Sequence, residues 1–333
     1  MVIRPDDLPQ SSGSAGVPLP LVGPSDVAQH SRDGFELAIR RRSPVLIVAE
    51  TGSRAGTVCQ ALHDATRRGL PLVSLDCSAS DAEALDRQLF GEPPRKPRSI
   101  DLEALGSESA LVAAGAGTVW LEYIGELPAS AQRRLARILR DGEAQVGPRS
   151  QAAPIACRVV ASAARDLDAD VREGRFREDL YRRLAATRIV IAPLRQRAGD
   201  LAAIVDALIA GMGAANRSFT QPAVTTLAAL PWPRNLDELA GILTRVVESS
   251  GPVIRQEDVL AHLPIDAPFA RLDLTASLRD ARRRFERDYI AAVLERHHWR
   301  MSEAARTLGI ERANLYRKTR QLGITRGPRA ELS

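Results

Sequence analysis

The chain is poor in sulfur and in aromatic residues: three Cys, three Met, three Trp, four Tyr and six Phe among 333 residues. Cys59, Cys77 and Cys157 stand far apart, with no C-x-x-C and no neighbouring histidine pair. That spacing excludes a zinc-finger reading and a disulfide framework, and reduced, buried thiols are expected. No apolar run approaches the ~20 residues needed to cross a bilayer. The N-terminus has no basic-then-apolar signal pattern, so a cytoplasmic protein with no membrane partner is expected. There is no internal repeat. What remains is an ordinary globular composition, 44% hydrophobic and 26% charged, in a chain long enough for two domains with a proper core.

Charge is unevenly placed. Residues 271 to 333 hold 15 Lys/Arg against 8 Asp/Glu, an excess larger than the net +5 of the whole chain. A small basic module on a near-neutral body points to a polyanionic partner, most simply nucleic acid.

Residues 1 to 20 are rich in Pro, Ser and Gly and read as a disordered leader that leaves no room for an N-terminal sensory domain. From 21 to 193 apolar runs of strand type at Val45–Val48, Leu72–Leu75, Thr118–Leu121, Arg158–Ala161 and Arg188–Ile191 alternate with helical stretches. That alternation predicts an α/β subdomain, a parallel sheet flanked by helices. Residues 194 to 263 read as an all-α lid, broken at LPWPRN (230 to 235). A linker is expected over 264 to 274, a third, all-α domain over 275 to 325, and a tail over 326 to 333.

SEAARTLGIERANLYRKTRQLGI (302 to 324) is the most specific stretch. Ser302 is placed to cap a short helix with Ala304, Ala305 and Leu308 inward. Gly309 ends it and Ile310 plugs the corner. A second helix then turns Leu315 and Leu322 inward, with Arg312, Tyr316, Arg317, Lys318 and Arg320 outward. This is the pattern of a helix-turn-helix, whose second helix enters the major groove. Arg312 and Asn314 are placed to read base edges, arginine on guanine and asparagine on adenine. Arg317, Lys318 and Arg320 are placed to grip phosphates. In the preceding stretch Leu278, Phe285, Tyr289 and Val293 recur at helical spacing and predict a stripe that packs on the reading unit and pairs two subunits. A two-fold-related duplex site bound by at least a dimer follows. The module resembles the Fis-type helix-turn-helix, in which S-E-A-A-x-x-L-G-I-x-R-x-x-L-Y-R-K is typical; Thr319 stands where that family usually has leucine. The resemblance implies base contact by Arg312.

VLIVAETGSRAGTVCQALH (45 to 63) has the outline of a phosphate-binding loop between a strand and a helix. A G-x-x-x-x-G-K loop would cradle phosphates between glycines and a lysine, and here those slots hold Ala49, Arg54 and Ala55 around the retained Glu50 and Gly52. AGTVWLEYIGELPASAQRRLARIL (116 to 139), GRFREDLYRRL (174 to 184), PLRQRAGDL (193 to 201) and LPWPRNLDEL (230 to 239) resemble the AAA+ domain of sigma-54 activators, the bacterial enhancer-binding proteins. Against that family, Glu122 and Tyr123 stand at the acidic pair, Ala163 and Ala164 at the sensor pair, and Asp237 at the lid arginine. A phenol of pKa near ~10 cannot serve as the base at neutral pH, and a left-handed backbone at Arg54 costs ~1–2 kcal/mol. These departures predict a vestigial nucleotide pocket, no cofactor, no metal and a chain that is not an enzyme.

The G-A-F-T-G-A tip of the family's polymerase-touching loop is absent after Leu89-Phe90-Gly91. Arg177 and Arg183 match the family's arginine fingers. The resulting expectation is a DNA-binding transcriptional regulator on an ATPase-inactive AAA+ scaffold, acting independently of sigma-54. It represses, or activates the housekeeping polymerase by contact. Two alternatives stay open: a modulator of a full activator through mixed oligomers, and a working sigma-54-dependent ATPase.

Overall fold

The computed structural model describes residues 17–78, 81–92, 102–146, 151–164 and 167–263. In the C-terminal part it describes 286–287, 290–291, 293–294, 301–308, 310–322 and 324. The chain divides into two compact units, Met1–His262 and Leu263–Ser333.

In the first unit the strands are β1 (Val45–Ala49), β2 (Leu72–Asp76), β3 (Ala104–Leu105), β4 (Thr118–Glu122), β5 (Glu143–Val146), β6 (Gln151–Pro154), β7 (Arg158–Ala163), β8 (Arg188–Ile191), β9 (Ser218–Phe219) and β10 (Val253–Ile254). The helices are α1 (Asp26–Arg40), α2 (Ala55–Arg67), α3 (Ala82–Phe90), α4 (Ala110–Ala113), α5 (Ala129–Asp141), α6 (Asp168–Arg172), α7 (Glu178–Leu184), α8 (Leu201–Gly211), α9 (Gln221–Ala228), α10 (Asn235–Ser249) and α11 (Gln256–His262).

Five strands form one sheet in the order β2-β4-β7-β1-β8, every pair parallel. Their sequences are continuous apolar runs because helices cover both faces, so there is no solvent face to alternate with. Leu46, Val119, Leu121 and Ala161 belong to one core, Val45, Ile47, Val160 and Ile189 to the other. Each helix turns a 3.6-residue stripe inward: in α5, Ala131, Leu135 and Ile138 are buried, and the helix ends at Gly142, whose φ of 70° suits a glycine. In α10, Leu236, Leu239, Leu243 and Val246 do the same.

Residues 17 to 20 depart from the leader expectation. Leu19–Leu21 is a short helical turn with all three residues buried. Behind it Arg197 donates to the carbonyls of Pro20 (2.6 Å) and Val22, and to the Asp200 carboxylate at 2.9 Å. Ser25 caps α1 and also donates to Asp200, from its amide at 2.8 Å and its hydroxyl at 2.6 Å.

Inside the sheet layer His63 of α2 bonds through Nδ1 with the Thr118 hydroxyl at 2.9 Å, and burial holds its pKa below the usual 6.5. A folded state that prefers the neutral ring contributes stability above pH ~6.5 that is lost as pH falls through the lower folded value. Urea midpoints should therefore drop between pH 7.5 and 5, and His63→Gln should flatten that part of the dependence.

In the second unit residues 286–287, 290–291 and 293–294 are helical, followed by α12 (Met301–Thr307) and α13 (Arg312–Gln321). Ile290, Val293, Leu294, Ala304, Ala305 and Leu315 form its core, with Leu308, Ile310 and Leu322 packed against it. Ser302 falls within Met301–Thr307. Leu278, Phe285, Tyr289, Gly309, the 264–274 linker and the 326–333 tail lie outside the described residues.

Candidate functional site

In the first unit the sheet's carboxyl edge, where parallel α/β folds place their ligands, carries a cleft between the loop after β1 and the turn that opens α10. Gly52 has φ 78°, and a Cβ there would lie 2.1 Å from the carbonyl oxygen of Arg234. The lid thus sits directly on the loop, and only a glycine admits it. Arg54, the N-cap of α2, is left-handed at φ 57° and ψ 45°. Ala55 is the first helical residue, with no side chain able to reach across.

Four non-glycine residues among those described have positive φ: Arg54, Tyr123, Trp232 and Asn235. All four belong to this neighbourhood, since Tyr123 and Thr51 line one cavity of about 520 Å³ with Ser78 and Glu126. Backbone strain of ~1–3 kcal/mol per residue persists only where surrounding contacts hold it.

Those contacts are specific. Arg54 Nε donates to Asp237 at 2.8 Å, and the Asp237 amide donates to the Gly52 carbonyl at 3.1 Å. The two charged departures noted in the sequence are therefore one ion pair, and Asp237 does not stand alone against a phosphate. Arg195 makes a two-pronged bond to Glu50 at 2.7 and 2.5 Å, which holds the Glu50 carboxyl below the usual range. Asn235, 1% exposed, accepts from the Leu194 amide at 3.0 Å and donates to the Thr51 carbonyl at 3.0 Å.

Neither Arg195 nor Asn235 is among the sequence-predicted site residues. The pairing of opposite charges at 54 and 237 was the one visible signal. Glu122 is pushed up by burial, against the Trp120 indole N–H that donates to it at 2.7 Å. Burial foremost, then Glu122 and Asp76, raise the Tyr123 phenol. Ser53 is 2% exposed, and its hydroxyl has no partner among the described residues.

The structure does not bring Arg177 or Arg183 to this cleft. Arg177 is exposed and bonded to Asp179 at 2.7 Å, and Arg183 donates to the Leu139 carbonyl at 3.4 Å. Cys59 and Cys77 are buried and Cys157 partly so. Burial pushes the Cys77 thiol up to about 12.

In the second unit α13 exposes Arg312, Tyr316, Arg317 and Arg320 on one surface. The Arg312 guanidinium lies 5.7 Å from the centre of the Tyr316 ring, and Arg317 donates to Asn314 Oδ1 at 3.1 Å. Lys318 pairs with Glu286, which occupies the charge expected to face phosphate. Thr319 is buried and returns its hydroxyl to the Tyr316 carbonyl at 2.9 Å, satisfying the polar group that replaces leucine.

The model of the Sigma-54 interaction domain matches residues 21–190 and that of the bacterial regulatory protein Fis family matches 281–322. The regulatory protein LuxO of Vibrio cholerae is 32% identical over 84% of this chain and 57% of its own length. ZraR of Escherichia coli K12, a transcriptional regulatory protein, is 32% identical over 90% of this chain and 68% of its own. This chain thus spans between about half and two thirds of these relatives. The crystal structure of NtrX from Brucella abortus in complex with ATP is similar over 94% of this chain and 70% of that one, at 25% identity and a TM-score of 0.59. A second NtrX structure holds ADP, with a TM-score of 0.60.

These findings correct one expectation. That the chain is not an enzyme is overturned by its family, whose AAA+ domains are generally ATPases, and by a structural neighbour crystallised with ATP and with ADP. The physical reason lies in the cleft: two of the substitutions behind that expectation, Arg54 and Asp237, neutralise one another. With an α/β AAA+ body, a helical lid and a Fis-type helix-turn-helix in one chain, this protein belongs to the sigma-54 activator family.

Proposed function

We propose that the chain is a sequence-specific DNA-binding transcriptional regulator whose AAA+ body assembles with copies of itself at a promoter. The observation that carries this reading is the surface of α13, where Arg312, Asn314, Arg317 and Arg320 are carried on a helix anchored by buried Leu315. Side chains at the start of such a helix meet base edges, and later ones meet phosphates. The target is a two-fold-related duplex site. Regulation proceeds without sigma-54, by occupying a promoter or by contacting the housekeeping polymerase, a reading supported by the missing G-A-F-T-G-A motif after Gly91.

Nucleotide enters as part of the same proposal, by likeness to NtrX. The groups around the loop fit a polyphosphate. The first-turn amides of a 13-residue helix form an anion-binding end, Ser53 offers a hydroxyl without a partner among the described residues, and Arg54 supplies a cation once it exchanges Asp237 for the ligand. When bound, ATP would supply the hydrolysable phosphoanhydride. What these residues do is hold the phosphates and, through Asp237 and Asn235, register their presence in the lid. Arg177 and Arg183 are the arginines this chain would offer to a neighbouring subunit, including one of a related activator in a mixed oligomer.

Mapping bound DNA across the genome, beside transcript changes in deletion strains lacking this gene or sigma-54, tests the reading. Sites at promoters whose response survives loss of sigma-54 support it, and a response that vanishes with sigma-54 overturns its independence. On purified protein, Arg312→Ala should cost ~1–3 kcal/mol at one base position and relax preference there. The check is a binding series with each base substituted in turn.

A further inference from the structure

The first unit carries a second concentration of positive charge, at the edge of the sheet opposite the cleft. α1 ends at Arg40 and is followed by Arg41 and Arg42; α2 ends at Arg67 and is followed by Arg68. Both helices run antiparallel to the strands they cover, so their last turns meet at the amino ends of β1 and β2. Arg158, the first residue of β7 and 3% exposed, fastens the end of α1. It donates to the carbonyls of Ala38 (2.6 Å), Arg41 (2.7 Å) and Ser43 (3.0 Å), while its own amide bonds to Gly117 at 2.9 Å. Arg67 reaches the same corner, donating to Ala116 and to Ala156 at 3.3 Å.

These cations crowd one another. Burial chiefly, and then Arg42, lower the Arg67 pKa; burial and then Arg67 bring Arg158 down to about 10. Among the described residues only Arg40 has a carboxylate partner in the cluster, Glu36 at 3.2 Å. Arg41, Arg42 and Arg68 are exposed, and no carboxylate closes an ion pair with them or with Arg67 among the described residues. Arginine at a helix C-terminus complements the helix dipole, which accounts for Arg40 and Arg67. It extends in part to the C-caps Arg41 and Arg68 and does not account for Arg42, which lies past the α1 cap.

We propose that this corner, formed by Arg41, Arg42, Arg67 and Arg68, is a second duplex-binding surface that grips the phosphates of DNA flanking the site held by the helix-turn-helix. The inference rests on the DNA-binding reading above. Arg41 and Arg67 are anchored through backbone carbonyls, and beside them exposed Arg42 and Arg68 add guanidinium donors suited to phosphate. The corner exposes Leu37, Ile39 and Leu70, but its arginines without carboxylate partners make charge, not apolar area, its main feature, which favours a polyanion. A duplex gripped by the second unit is tethered near the first, so even weak phosphate contacts operate at raised local concentration. Such contacts carry no base preference and are lost steeply with salt.

The test uses the full-length protein and a 40-base-pair duplex of random sequence, with binding measured by fluorescence anisotropy over a salt series. Each phosphate contact contributes about 0.9 to the slope of log K against log salt. Arg42→Ala combined with Arg68→Ala should therefore make that slope shallower by about 2, without changing the melting temperature. Arg182→Ala with Arg255→Ala removes the same charge from exposed positions elsewhere. It should leave the slope unmoved, because fields from distant charges are screened beyond ~10 Å. If wild type binds duplex and the Arg42/Arg68 variant keeps its slope, or if both variants lower it alike, the second surface is refuted while the helix-turn-helix reading stands. If wild type binds no duplex, both fall together.

Discussion

Arg197→Ala is expected to destabilise the first unit by ~3–5 kcal/mol, the usual consequence of removing one partner from a buried ion pair. Arg197 and Asp200 are 2% and 0% exposed, and their groups meet at 2.9 Å. Deleting the guanidinium leaves a buried carboxylate with the two Ser25 donors but no opposite charge. It also frees the carbonyls of Pro20 and Val22 that Arg197 satisfies. For a unit of this size the melting temperature should fall by about 10 °C. Asp200→Asn in the same background should recover part of the loss, because a neutral amide costs less to bury than an unpaired charge. Burial opposes ionisation of Asp200, but Ser25 and Arg197 outweigh it and hold the pKa below the usual 3.8. Its contribution is therefore complete above that value and lost as pH falls through the lower folded one. Wild type and Arg197→Ala should converge in acid. The variant is also informative for assembly, because the segment it releases, residues 19 to 25, is what fastens α1 to the start of the lid.

The body was legible because its code is local. Five runs of branched and apolar residues became the five strands of the parallel sheet, extended by one or two residues at most. Helical spacing in the C-terminal module likewise placed Ala304, Ala305 and Leu315 in its core. The small sheets were not legible: β3, β9 and β10 are two residues each, too short to show a period, and β5 and β6 pair antiparallel over residues that carry no alternation. In the cleft, single residues read one at a time misled. Arg54 and Asp237 lie 183 positions apart; read alone, the first strains the loop's backbone and the second repels phosphate, yet together they form one neutral contact. Asn235 was unreadable for the same reason: a buried amide joining Leu194 to Thr51 is defined by two distant backbone groups and by no pattern around it. Ala49, Arg54 and Ala55 mark where a phosphate loop differs from its usual form, but family membership rather than spacing decides the class of protein.

Gly52→Ala should be the most damaging single-atom enlargement in the cleft. The new Cβ would sit 2.1 Å from the Arg234 carbonyl oxygen and 2.8 Å from its carbon, both backbone atoms with no rotamer to escape into. A φ of 78° adds the left-handed cost of ~1–2 kcal/mol to the ~1–3 kcal/mol of an overpacked contact. The expected loss is about 3 kcal/mol, or a comparable gain in lid opening if the turn at 232 to 235 yields instead. Amide exchange separates the two. Yielding of the turn exposes the Leu194 and Asp237 amides, whose acceptors are Asn235 Oδ1 and the Gly52 carbonyl, while β1 and β7 remain protected. Global loss accelerates all of them. Gly56→Ala is the control, since nothing lies within 4 Å of its added Cβ and it falls inside α2, where alanine should stabilise by ~0.5–1 kcal/mol. Arg54→Ala should open the same lid amides by removing the Asp237 contact from the opposite side. Equal exchange in Gly52→Ala and wild type would mean that the lid does not rest on this loop in solution.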